Sequence, residues 1–124
     1  MTNEEKQFLF RDLCVRLPYG VRVKLNGRRE KSNKLTIDWL YAYSRHIEDI
    51  KPYLRPMSSM TDMEKQQFNL LSMNRIVPDG FGKNIQMFSL KCIDWFNSHH
   101  FDYRGLIEMG LALEAPEGMY NLNE

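Results

Sequence analysis

In Val21-Arg22-Val23-Lys24-Leu25-Asn26-Gly27, apolar side chains occupy every second position, cations stand between them, and the run closes on Asn-Gly. Period-two alternation sends one set of side chains into a core and the other into water, as a half-buried strand requires. Asn-Gly is the pair favoured by a type I′ hairpin turn, in which both central residues take positive φ. The chain therefore turns back after Leu25, and a sheet enters the fold early. Residues 28–33 are polar and read as a long loop tip. Alternation resumes with Leu35, Ile37, Trp39, Tyr41 and Tyr43, separated by Thr36, Asp38, Leu40 and Ala42. This predicts a strand with the aromatic rings on its core face.

Upstream of the strand, Thr2 and Glu5 have capping-box spacing, and Phe10, Leu13, Cys14 and Leu17 follow at three- and four-residue steps with Phe8 and Leu9 beside them. A helix starts the chain, and Pro18 stops it. Downstream, residues 44–50 have room for one helical turn. Residues 51–56, Lys-Pro-Tyr-Leu-Arg-Pro, are extended because each proline restricts its predecessor. Thr61 and Glu64 repeat the capping box and predict a helix from near Asp62 to about Met73, burying Met63, Phe68, Leu70 and Leu71. Pro78-Asp79-Gly80 reads as a turn leading to a third helix over residues 85–97, with Ile85, Phe88, Cys92 and Phe96 on one face and Ile93 and Trp95 broadening it. Glycines 105, 110 and 118 punctuate the remainder, leaving a short helical turn at 106–109 and an extended piece at 111–113. Phe101, Tyr103, Leu106 and Ile107 are expected to fold back onto the third helix and the sheet. The fold class is α+β: an N-terminal helix, a small antiparallel sheet, then two helices and an irregular packed C-terminal segment, in one domain over residues 1–124.

Composition agrees with one folded domain: the 124 residues are 43% hydrophobic and 27% charged, with a net charge of +1. The first residues lack the basic start and apolar core of an export signal, and no apolar run has membrane-spanning length, so a cytoplasmic protein with no membrane contact is expected. Cys14 and Cys92 fall in separate apolar helical patterns and read as reduced core residues. Charge is distributed unevenly. Arg16, Arg22, Lys24, Arg28, Arg29, Lys31 and Lys34 stand against Glu30 alone, whereas the chain from Asp102 onward is acidic.

Three blocks carry a resemblance: Asp12-Leu13-Cys14-Val15-Arg16-Leu17-Pro18-Tyr19-Gly20-Val21; Lys51-Pro52-Tyr53-Leu54-Arg55-Pro56-Met57-Ser58-Ser59-Met60-Thr61; and the C-terminal run Phe96-Asn97-Ser98-His99-His100-Phe101-Asp102-Tyr103-Arg104-Gly105-Leu106-Ile107, continued by residues 110–120. With these the chain resembles a group of short, uncharacterised bacterial proteins from gut anaerobes and their prophages or mobile elements. The resemblance covers about half the chain and excludes the basic hairpin. It implies a cytoplasmic accessory protein whose sheet is a small antiparallel β-meander or barrel-like element followed by helices, and it brings no catalytic residues and no cofactor.

The candidate sites are few. His99, His100 and Asp102 are the nearest approach to a metal site, but adjacent residues on a helix point about 100° apart, and nothing selects a third ligand from His46, Asp79 or Cys92. The alternative is that the histidines end the third helix and satisfy its last carbonyls. Ser58, Ser59 and Ser98 lack a nucleophile-elbow context, and Gly80-Phe81-Gly82-Lys83 lacks the spacing of a phosphate loop, so neither catalysis nor a cofactor is expected. The principal functional expectation is a non-enzymatic interaction protein with an unidentified protein partner. Met57, Met60 and Met63 could adapt to such a partner, or fill gaps beneath the Pro-rich link. The alternative is a nucleic-acid-binding module using the basic hairpin over residues 22–34. There Arg22, Lys24, Arg28, Arg29, Lys31 and Lys34 would follow phosphates, and Trp39, Tyr41 or Tyr43 would stack on unpaired bases if they faced outward. With net charge near zero, such binding is expected to be weak and removed by salt.

Overall fold

The computed structural model describes residues 1–71, 75–78, 84–87 and 90–120. Helix α1 (Asn3–Arg16) is opened by the capping box the sequence predicts: the Thr2 N–H donates to Glu5 Oε1 (2.9 Å) and the Glu5 N–H donates to Thr2 Oγ1 (3.1 Å). A 3-10 turn, Leu17–Tyr19, carries the chain through Pro18 into strand β1 (Arg22–Leu25). Val21, Val23 and Leu25 are buried as the alternation requires. The turn after Leu25 differs from the type I′ expectation. It is closed by the Arg28 N–H donating to Leu25 O (3.2 Å), and Gly27 takes φ 86° while Asn26 does not take positive φ, so glycine is required at the third position alone.

Strand β2 (Asn33–Lys34) is short and pairs antiparallel with β1. Residues 37 to 42, expected as strand, instead form helix α2 (Ile37–Ala42). Thr36 provides the reason: its hydroxyl accepts the Trp39 N–H (3.2 Å), and Leu40, Trp39 and Tyr43 then meet the core at helical rather than period-two steps. Tyr41 consequently points away at 84% exposure. A 3-10 turn at Ile47–Asp49 leads to β3 (Ile50–Leu54), whose Ile50, Pro52 and Leu54 are buried while Lys51 and Tyr53 are half-buried.

Helix α3 (Asp62–Leu71) follows its capping box: the Thr61 N–H donates to Glu64 Oε1 (2.9 Å) and the Glu64 N–H donates to Thr61 Oγ1 (3.1 Å). Met63 and Leu70 are exposed rather than buried, and Phe68 carries the inward contact. An antiparallel pair that the sequence reading missed, β4 (Arg75–Pro78) with β5 (Asn84–Met87), stands between the helices. The third long helix, α4 (Leu90–Ser98), therefore begins later than expected, since Ile85 lies in β5. The end of α3 expected at Met73, Asp79 and Gly80 of the turn, Phe88, and residues 80–83 lie outside the described residues. Finally β6 (Leu113–Glu114) pairs parallel with β3 and completes a sheet ordered β2-β1-β3-β6. The fold is α+β. None of its helices is long and apolar enough to cross a membrane, among the described residues.

Among the described residues, two apolar clusters fill the interior. Leu9 and Leu13 of α1, Val21, Val23, Leu25, Ile50 and Leu54 of the sheet region, and Leu106 and Leu111 of the tail form the larger. Cys92, Phe96 and Phe101 form the smaller, with Met57, Met60, Phe68, Trp95 and Tyr103 against it. The tail thus enters both cores. Phe101 and Leu106 are fully buried, Tyr103 packs on the smaller cluster and Ile107 on the larger. Cys14 is a correction: Cys92 is buried, but Cys14 is on the surface, because the buried stripe of α1 is Leu9, Asp12, Leu13 and Arg16.

Candidate nucleic-acid interface

Alternation along β1 sends Arg22 and Lys24 to the outer face of the sheet, and alternation along β3 sends Lys51 and Tyr53 to the same face. The register places these cations opposite one another: Arg22 faces Lys34 across β1 and β2, and Lys24 faces Lys51 across β1 and β3. Like charges directly opposite on adjacent strands destabilise a sheet. Two such pairs side by side place four cations on adjoining positions of three strands.

The loop over residues 26–32 is tied to this face. Arg22 donates from Nε to Ser32 Oγ (2.8 Å) and from Nη2 to Ser32 O (3.1 Å), while the Tyr53 hydroxyl donates to Lys31 O (2.9 Å). Arg29 and Lys31 remain exposed on the loop. Arg28 lies over the Trp39 ring, 4.4 Å from its centroid, and the Tyr43 hydroxyl donates to Asn26 O (3.1 Å). Away from the loop the face is open, with a hollow of about 330 Å³ lined by Lys24, Asn26, Glu48, Asp49, Lys51 and Leu113. Its two carboxylates are engaged, Asp49 accepting from Asn26 Nδ2 (3.1 Å) and Glu48 facing Lys6 at 3.8 Å.

Of the six hairpin cations, Arg22, Lys24 and Lys34 lie on the outer face, Arg29 and Lys31 are exposed on the loop tied to it, and Arg28 lies over Trp39 of α2. Lys51 joins them unannounced: the extended reading of residues 51–56 did not reveal which strand it would face. Of the three aromatic residues considered for stacking, Tyr41 is exposed, Trp39 is half-buried beneath Arg28, and Tyr43 packs on the core.

The histidine pair has a different role. Residues 96–101 end α4 with a Schellman motif: the Phe101 N–H donates to Phe96 O (3.0 Å), and the His100 N–H donates to Asn97 O (3.2 Å). His100 occupies the left-handed position usually given to glycine, with φ 63°. Its ring stacks on Tyr120, centroids 3.7 Å apart, and its buried Nδ1 has no hydrogen-bond partner among the described residues. His99 points elsewhere, with Nδ1 3.5 Å from Glu64 Oε2. Asp102 uses both carboxylate oxygens on its own chain, accepting the Leu106 N–H (2.8 Å) and the Ile107 N–H (2.9 Å). The three side chains do not converge, and no group of three metal-ligating side chains occurs among the described residues.

Burial, with Arg16, His99 and Arg55 adding their positive charges, pushes His100 down to about 4, and burial also lowers His99. A lowered histidine contributes stability that is complete above the unfolded value of 6.5 and is lost as pH falls through the folded value. Between pH 7 and pH 4.5 the His100 contribution should decline by about 2 kcal/mol. Urea denaturation at the two pH values checks this. His100→Asn, which keeps a side chain tolerant of positive φ, should lose that much less stability over the same interval. Equal losses in both proteins would show that His100 titrates normally.

The remaining buried polar groups surround the tail. Arg16 and Asp12, both fully buried, pair at 2.7 Å, and Arg104 approaches the other Asp12 oxygen at 3.4 Å. Arg55 holds Glu64 through two 2.7 Å bonds and lies 4.2 Å from the Phe101 ring centroid. Comparison with known proteins adds nothing to this geometry, since no family model, curated protein or solved structure matches the chain.

Proposed function

We propose that the chain is a non-enzymatic, cytoplasmic accessory protein whose basic sheet face holds single-stranded nucleic acid through its phosphates. The observation that supports the reading is the strand register, which sets Arg22 opposite Lys34 and Lys24 opposite Lys51. Each pairing is a repulsion that a bound polyanion would turn into attraction. Arg28, Arg29 and Lys31 add cations along the loop, and exposed Tyr41 on the adjoining α2 supplies a ring for an unpaired base. These contacts read charge and ring faces rather than base edges, so the expected binding is sequence-tolerant.

The test is anisotropy of labelled single-stranded DNA and RNA over a range of salt. Four to seven phosphate contacts imply a log–log salt slope of about −3 to −5 for single strands, with affinity falling to about the micromolar range or weaker at physiological salt. Lys24→Gln with Lys51→Gln should reduce the slope by about 1.4. The same double variant should be as stable as the parent or more so, by up to about 1 kcal/mol, because it removes a like-charge pair. No binding at low salt, or an unchanged slope in the double variant, would sink the reading.

A further inference from the structure

Helix α1 has a second apolar face. Its core stripe is Leu9, Asp12, Leu13 and Arg16, yet Phe10, Cys14 and Val15 are exposed on its other side, Phe10 and Val15 at 37% and 38%. Hollows flank the exposed ridge. One, about 300 Å³, lies between α1 and residues 44–47 and is lined by Lys6, Phe10, Arg11, Arg45 and Ile47 among others. The second, about 560 Å³ and mostly apolar, is lined by Phe8, Phe10, Arg11, Cys14, Val15 and Arg104. Phe10 and Arg11 belong to both, so the depressions are two sides of one surface. That surface lies on a different element from the basic sheet face.

The charges that line it have one sign. Lys6, Arg11, Arg45 and Arg104 rim the two hollows, and no carboxylate lines either. Lys6 faces Glu48 and Arg104 reaches Asp12, whereas Arg11 and Arg45 make no ion pair among the described residues. A second copy of the chain docked face to face would set these arginines against their own kind. A carboxylate-bearing partner meets them with opposite charge, while its apolar side chains cover Phe10 and Val15. Phe10 and Cys14 stand four residues apart, which matches the i, i+3, i+4, i+7 anchors of a helix laid against a helix.

We infer that the outer face of α1 is a docking surface for an acidic amphipathic helix of another protein. Large apolar residues of that helix fill the hollows beside Phe10, and its flanking carboxylates pair with Arg11 and Arg45.

The probe is a synthetic helical peptide of about 15–20 residues with leucines at the anchor spacing and glutamates on both flanks. Two controls accompany it, one with lysine in place of glutamate and one with serine in place of leucine. Cys14 reports occupancy at the site, because its thiol is exposed on the ridge while Cys92 is buried. Saturating acidic peptide should slow Cys14 alkylation about tenfold. Arg11→Gln with Arg45→Gln should weaken binding by about tenfold, a loss of roughly 1.4 kcal/mol, and Phe10→Ser with Val15→Ser should do so at least as strongly. These side chains are exposed, so the variants keep the fold, which an unchanged circular-dichroism melt verifies. Several results would overturn the inference: no protection at about 1 mM peptide, equal binding of the lysine peptide, or protection that follows protein concentration in light scattering and so marks self-association. Protection by anionic phospholipid vesicles but not by the peptide would assign the face to a membrane surface instead.

Discussion

Truncation after Asn97 is expected to abolish cooperative folding. The removed segment holds Phe101 and Leu106, both fully buried, with Leu111 and Ala112 nearly so. A buried phenylalanine alone is worth about 3–5 kcal/mol against alanine, and a buried leucine about 2–5. Their sum reaches the whole stability of a typical domain, about 5–15 kcal/mol. The loss extends to the sheet. Strand β6 leaves β3, the Arg55 N–H loses His100 O (2.7 Å), and the Tyr120 hydroxyl no longer accepts the Arg22 N–H (2.8 Å) or donates to Tyr53 O (2.7 Å). Far-UV circular dichroism on heating checks this. A truncated chain melting cooperatively at the full-length temperature would show that the tail is a detachable segment.

Glu64→Ala should destabilise by about 3–5 kcal/mol, the usual consequence of leaving a buried charge without its partner. Arg55 is 7% exposed and its guanidinium is held by both Glu64 oxygens at 2.7 Å. Glu64 also accepts the Thr61 N–H, so the substitution removes half of the α3 capping box as well. Replacing Arg55 by Met and Glu64 by Leu together should cost less than Glu64→Ala, because no uncompensated charge remains. Urea denaturation of the three proteins separates these outcomes, and a single-variant loss below about 1 kcal/mol would put the pair in the class of solvent-screened surface bridges. The Arg55 guanidinium holds the Glu64 carboxyl down at about 2. The contribution of the pair is accordingly complete above 4.5 and disappears only as pH falls through about 2, below the interval in which His100 acts.

Features whose hydrogen bonds close within a few residues were legible in the sequence. The capping boxes of α1 and α3 were read from Thr2 with Glu5 and Thr61 with Glu64, and strand β1 from the alternation ending at Leu25. The histidines at the end of α4 were weighed there as a helix terminus, though not the left-handed conformation of His100. Where two local patterns fitted the same residues, the sequence alone could not choose. Leu35, Ile37, Trp39, Tyr41 and Tyr43 satisfy period two, but Thr36 is also an N-cap, and packing of Leu40, Trp39 and Tyr43 on the core decided for helix.

The candidate site divides in the same way. Its hairpin cations were visible as a run from Arg22 to Lys34, but the opposition of Lys24 and Lys51 comes from strand register, which joins segments separated by a loop and a helix. Burial of Asp12 and Arg16 on α1 was equally hidden, since charged residues at helical spacing ordinarily face water, and it takes distant residues such as Tyr103 against Arg16 and Arg104 on Asp12 to cover them. Local hydrogen bonding and side-chain periodicity are properties of consecutive residues, so the sequence alone determined the starts of α1 and α3, the first strand and the position of the basic run. Which charges meet, which side chains lose water and which strand receives the tail depend on contacts between distant segments, and those exist only when the chain closes on itself.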